Sequence, residues 1–349
     1  MPFELLERGR PQPLLPTEAL MKAVVACDYG GAEVLRQVDI DKPTPADDQV
    51  LVKVHAVSVN PLDWHLMRGT PYLLRLASGG RKPKSGRTGV DYSGTVEGVG
   101  RSVMRVSVGD AVFGGASGAL AEYVAVPAES VVLKPATLTF EQAAAVNVAG
   151  RTALQALRRR AHVQPGQKVL INGASGGVGT FAVQLAKVFG AEVTAVQSAR
   201  NVDLVRSLGA DHVIDYTTED FTRGPTRYEV IVDNVGNRSL SEFRRVLTPK
   251  GKYLLVGGGG PEDHKWVGPL RRIVQMFIMS PFVSQDLGFF MAKTNRDDLQ
   301  MLADLMAAGR LRAVIDRCYP FTEAAAAMRY LESGRARGKV VVTLAENGS

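Results

Sequence analysis

With 349 residues the chain exceeds what one hydrophobic core usually organises, so two domains are the starting expectation. Its 45% apolar and 22% charged residues fit a globular protein, and no apolar run nears the ~20 residues of a membrane-spanning helix. The formal charge of +7 comes from scattered arginines without the interleaved aromatics of a nucleic-acid module, and two cysteines, Cys27 and Cys318, exclude a disulfide framework and a cysteine-based zinc site.

Residues 1–20, with prolines at 2, 11, 13 and 16, read as an irregular arm without the basic region and apolar core of a signal peptide; the cytoplasm is the expected compartment. From Met21 to about residue 145, short valine-rich runs alternate with Gly, Pro and Asp turns. "MKAVVA", "QVLVKVHAVSV", "GVDYSGTVEGVG", "DAVFGG", "ALAEYVAV" and "SVVLKP" are the strand candidates of an all-β block. At "TLTFEQAAAVNVAGRTALQAL" the texture turns helical, with Thr139 and Gln142 spaced as a capping box.

Over residues 146–285 strands alternate with helices: "KVLING", "VGTFAVQLAKVFG", "EVTAVQ", "NVDLVRSLG", "HVIDY", "YEVIVDNVG" and "GKYLLVGGG". Such alternation predicts a parallel sheet covered on both faces. "IVQMFIMSPFV" (Ile273–Val283), broken by Pro281, reads as a buried helix or a contact between copies in a homodimer. The tail, residues 286–349, is expected to return to the β block and complete it.

The chemistry starts at "NGASGGVG". Two registers of the dinucleotide fingerprint fit: Gly177-x-Gly179-x-x-Ala182, or Ala174-x-Gly176-x-x-Gly179 with its first glycine replaced. Either brings main-chain N–H groups to a pyrophosphate at a helix N-terminus, where the helix dipole favours an anion. About 20 residues on, an NAD site keeps an acid for the ribose 2′-hydroxyl. Here Gln197-Ser198-Ala199-Arg200-Asn201 stands instead, with no acid before Asp203. Ser198 can donate to a 2′-phosphate and Arg200 can pair with it, which makes NADPH the expected cofactor.

These features, with "VSVNPLDW" (Val57–Trp64), "AGRTALQAL" (Ala149–Leu157), "LGADHVIDY" (Leu208–Tyr216) and the closing "RGKVVV", resemble the medium-chain dehydrogenase/reductase superfamily. Within it they are similar to the zinc-free quinone oxidoreductase branch and its reticulon-interacting type. The resemblance implies an α/β fold: a GroES-like β-barrel catalytic domain (21–145, completed by 286–349) plus a Rossmann doubly wound parallel sheet (146–285). Zinc-dependent members keep a Cys where this chain has Asn60 and "GHE" where it has Gly89-Val90-Asp91; neither Asn60 nor Val90 is a competent ligand, so no metal is expected.

The resemblance also implies site roles. Ser175, Gly176, Gly177 and Val178 would touch the pyrophosphate, and Ser198, Arg200 and Tyr216 the adenosine 2′-phosphate and adenine. Asn234, Val235 and Gly236 would border the ribose, Thr152 would reach the nicotinamide end, and Gly257, Phe289, Phe290 and Lys339 would add contacts. Asn60, Asp63 and His65 would line the catalytic cleft, where Asn147 replaces a proline of many relatives.

Without a metal the acceptor must already be electrophilic, a quinone or an α,β-unsaturated carbonyl. Asn60 is the first candidate to donate to the developing oxyanion, with His65 as donor or proton source and backbone N–H groups or water as the alternative. Asp63 and His65 read equally as structural hydrogen-bonding residues, and Tyr72 or Tyr92 could serve as an acid. Rival readings are an alcohol or aldehyde dehydrogenase, an enoyl reductase acting on carrier-bound chains with Arg81–Arg87 meeting the carrier, and a non-enzymatic NADPH-binding structural or RNA-associating protein like the family's lens crystallins.

Overall fold

The computed structural model describes residues 20–344 apart from 73–74, 76–79, 84–85 and 258–269. The arm expected at the N-terminus lies outside the described residues except for Leu20, as does part of the basic Arg81–Arg87 segment.

Valine-rich alternation builds the first layer. β1 (Leu20–Ala26) and β2 (Leu35–Asp41) form an antiparallel pair. β3 (Gln49–Val59) is the long central strand, with Val50, Val52 and Val54 turned into the core. After α1 (Pro61–Arg68) come β4 (Asp91–Val99), β5 (Ala111–Gly115), β6 (Tyr123–Pro127) and β7 (Val132–Leu133). β3 carries β4 antiparallel along one edge and β6 along the other, and β4 passes the ladder to β5 and β7. β2 was not among the strand candidates. Its "LRQVDID" buries only Leu35 fully, so the ladder to β1 holds it and no apolar stripe announces it.

The chain then turns helical. α2 (Phe140–Ala144) opens on the expected capping box: the Gln142 N–H donates to Thr139 Oγ1 (3.2 Å) and the Thr139 N–H to Gln142 Oε1 (2.9 Å). α3 (Asn147–Gln155) runs on into a π-helical turn at Ala156–Ala161. From that turn Arg159 reaches Asp298 (2.8 Å) and Arg160 clamps Asp286 with two bonds (2.5 and 2.6 Å), so these arginines are paired.

A strand–helix alternation follows: β8 (Lys168–Asn172), α4 (Gly177–Val188), β9 (Glu192–Gln197), α5 (Val202–Ser207), β10 (His212–Asp215), β11 (Tyr228–Asp233), α6 (Leu240–Val246), β12 (Leu247–Leu255), α7 (Leu270–Met279) and β13 (Asp286–Phe289). All six strands are parallel, in the order β10-β9-β8-β11-β12-β13. In chain order that is 3-2-1-4-5-6, the doubly wound arrangement whose direction reverses between β8 and β11. Successive residues point to opposite faces: Val169, Ile171, Val193 and Val232 enter one core, Leu170, Val196, Ile231 and Tyr253 the other. The β12–β13 ladder carries this sheet to Phe289, past residue 285, where the change of domain was expected.

α8 (Arg296–Ala307) contributes Leu302 to the α3 side, against Gly150. The chain then returns to the first layer through β14 (Ile315–Pro320), α9 (Ala324–Glu332) and β15 (Lys339–Thr343). β15 pairs antiparallel with β3, Val340 opposite Val59, which sets Lys339 next to Asn60. Among the described residues no helix is long and apolar enough to cross a membrane.

Candidate active site

The turn between β8 and α4 chooses between the two glycine registers. Gly173 has φ +77°, and a Cβ there would meet Val235 at 2.6 Å. A Cβ on Gly179 would stand 2.1 Å from the Gly173 carbonyl oxygen, so Gly179 is the position where helix and turn pack closely. Gly176 caps α4, and a Cβ there would meet nothing nearer than 3.6 Å. Ala174-x-Gly176-x-x-Gly179 is therefore the working register: Gly176 leaves room for close approach and Gly179 lets the helix lie against its turn.

The other expected cofactor residues gather at the C-terminal ends of the parallel strands, where open α/β sheets bind ligands. Ser175 follows β8 and is buried, its Oγ accepting from Asn201 Nδ2 (2.8 Å). Ser198 follows β9 in extended backbone, Arg200 is exposed with its guanidinium 3.4 Å from the Arg335 carbonyl, and Tyr216 follows β10, 46% exposed. Asn234, Val235 and Gly236 follow β11; Asn234 Nδ2 donates to the Asn172 carbonyl (3.0 Å), and Asp233 accepts from the Val235 and Gly236 N–H groups. Gly257 follows β12, where a Cβ would meet the Asn234 carbonyl at 2.9 Å; Phe289 ends β13 and Phe290 packs into the core beside α3.

This rim fits a dinucleotide. Gln197 is 2% exposed, yet among the described residues neither its Nε2 nor its Oε1 has a partner; Asn201 Oδ1 and Asn234 Oδ1 are likewise buried and without one there. Buried polar atoms are ordinarily satisfied, and four orphans around one rim are what a polar ligand would complete. An acid does stand beside the acid-free stretch, with Asp215 paired opposite Gln197. Asp215, ending β10, accepts from the Thr217 N–H (3.0 Å) and hydroxyl (2.7 Å), donors that hold its carboxyl below the usual range, and the Ala199 N–H adds to them.

The two layers meet in a buried polar joint. Asp91, the first residue of β4, is fully buried. Its Oδ1 accepts from Asn147 Nδ2 (2.8 Å) and the Val148 N–H (3.0 Å), both at the start of α3. Its Oδ2 accepts from Asn60 Nδ2 (3.0 Å) and faces the Lys339 ammonium at 3.5 Å. Lys339 also donates to Asn60 Oδ1, while its stem crosses Gly177, 3.1 Å from where a Cβ would stand. Burial pulls the Lys339 ammonium below its usual range, and the charges of Asp91 and Asp63 oppose that pull. Breaking one partner out of such a buried pair typically costs about 3–5 kcal/mol. Asp91 had no assigned role. The signal for it was an acid inside the apolar run "GVDYSG", since a buried carboxylate requires several donors.

Asn60 and Asp63 form the N-terminal cap of α1: Asp63 Oδ2 accepts from the Asn60 N–H (2.7 Å). Burial pushes the Asp63 carboxyl up to about 7, the Asn60 N–H opposes this, and the Asp91 charge adds to it. The donor role expected of Asn60 does not fit its bonding. Its two amide hydrogens go to the Ser58 carbonyl (3.0 Å) and to Asp91, leaving none for an oxyanion. His65 takes the structural alternative rather than the donor role. Its Nδ1 lies 2.8 Å from the Thr70 carbonyl, which only accepts, so Nδ1 carries the hydrogen. Burial lowers its pKa and its ring stacks on Trp64, so the neutral imidazole offers a lone pair rather than a proton. The Tyr92 hydroxyl is buried without a hydrogen-bond partner among the described residues, and burial raises its pKa far above the usual phenol value.

Beside the joint opens a cleft of about 210 Å³ lined by Asp63, Leu66, Met67, Thr88, Gly89 and Val90, with Ala26, Pro83, Gly86, Arg87 and Ser117. Thr152 sits half-buried on α3, the helix that Asp91 holds at its start. Among the described residues no three or more His, Cys, Asp or Glu side chains are grouped as metal ligands would be.

Comparison with known proteins agrees with this architecture. The family profile described as "Alcohol dehydrogenase GroES-like domain" matches residues 46–136, and the one described as "Zinc-binding dehydrogenase" matches residues 208–342. The chain is 34% identical over 338 residues to an NADPH-dependent alkenal/one oxidoreductase of Arabidopsis thaliana, covering 92% of this chain and 79% of that protein. It is 35% identical over 371 residues to the NAD(P)H oxidoreductase RTN4IP1, mitochondrial, of Mus musculus, covering 93% and 89%. The solved quinone oxidoreductase of Coxiella burnetii superposes with a TM-score of 0.82 at 31% identity, covering 94% of this chain and 100% of that one.

Proposed function

The chain belongs to the medium-chain dehydrogenase/reductase superfamily, and from that premise we propose that it is a zinc-independent oxidoreductase moving hydride from NADPH to a quinone or an α,β-unsaturated carbonyl. One observation carries the reading. At the positions where zinc-dependent relatives keep a Cys and a Glu, Asn60 and Asp91 are satisfied by each other, by Asn147 and by Lys339, so neither is presented to a metal. An alcohol needs its hydroxyl acidified before it yields hydride, whereas a quinone or enone is electrophilic already.

The nicotinamide, when bound, supplies hydride. The chain's own residues orient the reactants and keep water out. In this reading Gly176, Gly177 and Val178 meet the pyrophosphate, Ser198, Arg200 and Tyr216 the adenosine 2′-phosphate end, and Thr152 the nicotinamide end. The acceptor lies in the cleft against Leu66, Met67 and Val90, where apolar walls favour a flat unsaturated ring or chain. Holding two flat reactants in register can contribute up to roughly 7–11 kcal/mol to lowering the barrier. With Asn60 committed, stabilisation of the developing oxyanion passes to backbone N–H groups or water at the cleft. Two copies pair, in this account, through the β13 edge of the nucleotide sheet. Oxidation of NADPH should be followed across quinones, enones and aldehydes; consumption with quinones or enones is the expected result, and consumption with aldehydes alone would reject the proposal.

A further inference from the structure

We infer that Asp91 is the positioning residue of this site, a carboxylate that fixes the spacing between the nucleotide side and the acceptor cleft. The inference rests on the oxidoreductase reading above and extends it to a residue with no contact to either reactant. Its ground is the origin of the donors. Asn60 precedes α1, Asn147 and Val148 open α3, and Lys339 opens β15, so three separate segments are tied to one side chain. Each segment leads to a different part of the site.

From Asn60 the chain enters α1, whose Asp63, Leu66 and Met67 wall the cleft. From Val148, α3 leads to Thr152 and lays Ala149 against Gly177, at 3.9 Å from where a Cβ on that glycine would stand. Lys339 covers Gly177 from the other side, and the preceding Gly338 bridges to Gly176 through the backbone. Asp91 itself follows Gly89 and Val90, two further cleft residues. Oδ1 receives two hydrogen bonds, and Oδ2 receives one with the Lys339 ammonium 3.5 Å away as an ion pair, so the carboxylate is held at both oxygens. A shift of Asp91 therefore moves the phosphate turn, the α3 start and the cleft wall relative to one another. The competing account is that Asp91 only neutralises Lys339.

The test compares NADPH-loaded wild type with Asp91→Asn, which keeps the shape but points N–H groups at two donors. Three quantities are read: kcat with a quinone or enone at saturating NADPH, the NADPH Kd from nucleotide fluorescence, and iodide quenching of the bound nicotinamide. We expect kcat to fall about 100-fold, the effect of a displacement near 1 Å, with Kd within roughly threefold and the nicotinamide newly open to iodide. A folded variant with wild-type kcat and quenching would overturn the inference, and so would a loss that disappears at saturating NADPH. Should Asp91→Asn fail to fold, Asn147→Ala carries the test, because it leaves Lys339 paired. One lost hydrogen bond then predicts a roughly threefold to tenfold fall in kcat with greater quenching; no change in either would overturn it. A wild type inactive with every acceptor would refute the oxidoreductase reading, and the quenching comparison would still decide the role of Asp91.

Discussion

Asp63 and Arg200 expose two properties of the site to single substitutions. An aspartate in the unfolded chain titrates near ~3.9, whereas burial raises Asp63 to about 7. Between those values the folded state keeps a proton that the unfolded state has released. The Asp63 contribution is therefore fully present below pH ~4 and is lost as pH rises through 7. Asp63→Asn keeps an oxygen for the Asn60 N–H, so its Tm should fall less than that of wild type between pH 5 and 8, in paired thermal melts at about those limits. Equal slopes would reject the protonated carboxyl. At the adenosine end, Arg200→Ser should weaken NADPH about tenfold, a modest figure because the guanidinium is exposed, and leave NADH unchanged. Equal loss for both nucleotides would assign Arg200 a structural role and return attention to Asp215. The acid-free stretch after β9 favours NADPH, and Asp215, which the fold sets beside Gln197, arrives from β10, a strand no local spacing could have connected to it.

At the scale of elements, the phosphate turn makes opposite predictions for two glycines three residues apart. Gly179→Ala forces a Cβ to within 2.1 Å of a carbonyl oxygen in the turn itself, so it should lower stability by about 1–3 kcal/mol or more and weaken nucleotide binding. Gly176→Ala places its methyl in ordinary contact, 3.6 Å from the Gly173 carbonyl, with φ −79°, so Tm should hold while NADPH affinity falls, because in the proposed reading the methyl enters the room left for the pyrophosphate. Thermal melts with and without NADPH separate the two; equal Tm losses would contradict the register. Strand periodicity made this level readable. β3 lies on Gln49–Val59, the limits of "QVLVKVHAVSV", since both ends are marked by a change from valine alternation to turn residues. β2 escaped because its outward polar residues need only the β1 ladder, and the β12–β13 pairing crossed the expected boundary because strand partners are chosen in space. Asp91 was legible only as a buried acid inside "GVDYSG", and its role was not, because its partners come from segments up to 248 positions away in the chain.

Over the whole molecule, the nucleotide sheet ends in β13, an edge strand with α7 beside it. α7 buries Met276 and leaves Val274, Phe277 and Ile278 exposed, and Phe282 after it is 84% exposed. Edge strands and apolar patches are ordinarily covered, and a second copy placed edge to edge would cover both. Light scattering should give the mass of two chains for wild type and of one chain for a Phe277→Glu, Ile278→Lys variant; a monomeric wild type would refute the pairing. In the proposed reading the cofactor rim lies on one layer and the acceptor cleft on the other, with Asp91 and Lys339 between them. The central claim is direct hydride transfer across that joint. NADPH carrying deuterium at nicotinamide C4 should be reacted with an enone in the presence of a chelator, and the product read by NMR. The account predicts deuterium at the β-carbon from one face of the nicotinamide, at a rate the chelator leaves unchanged. Solvent hydrogen at that carbon, or turnover abolished by the chelator and restored by zinc, would contradict it.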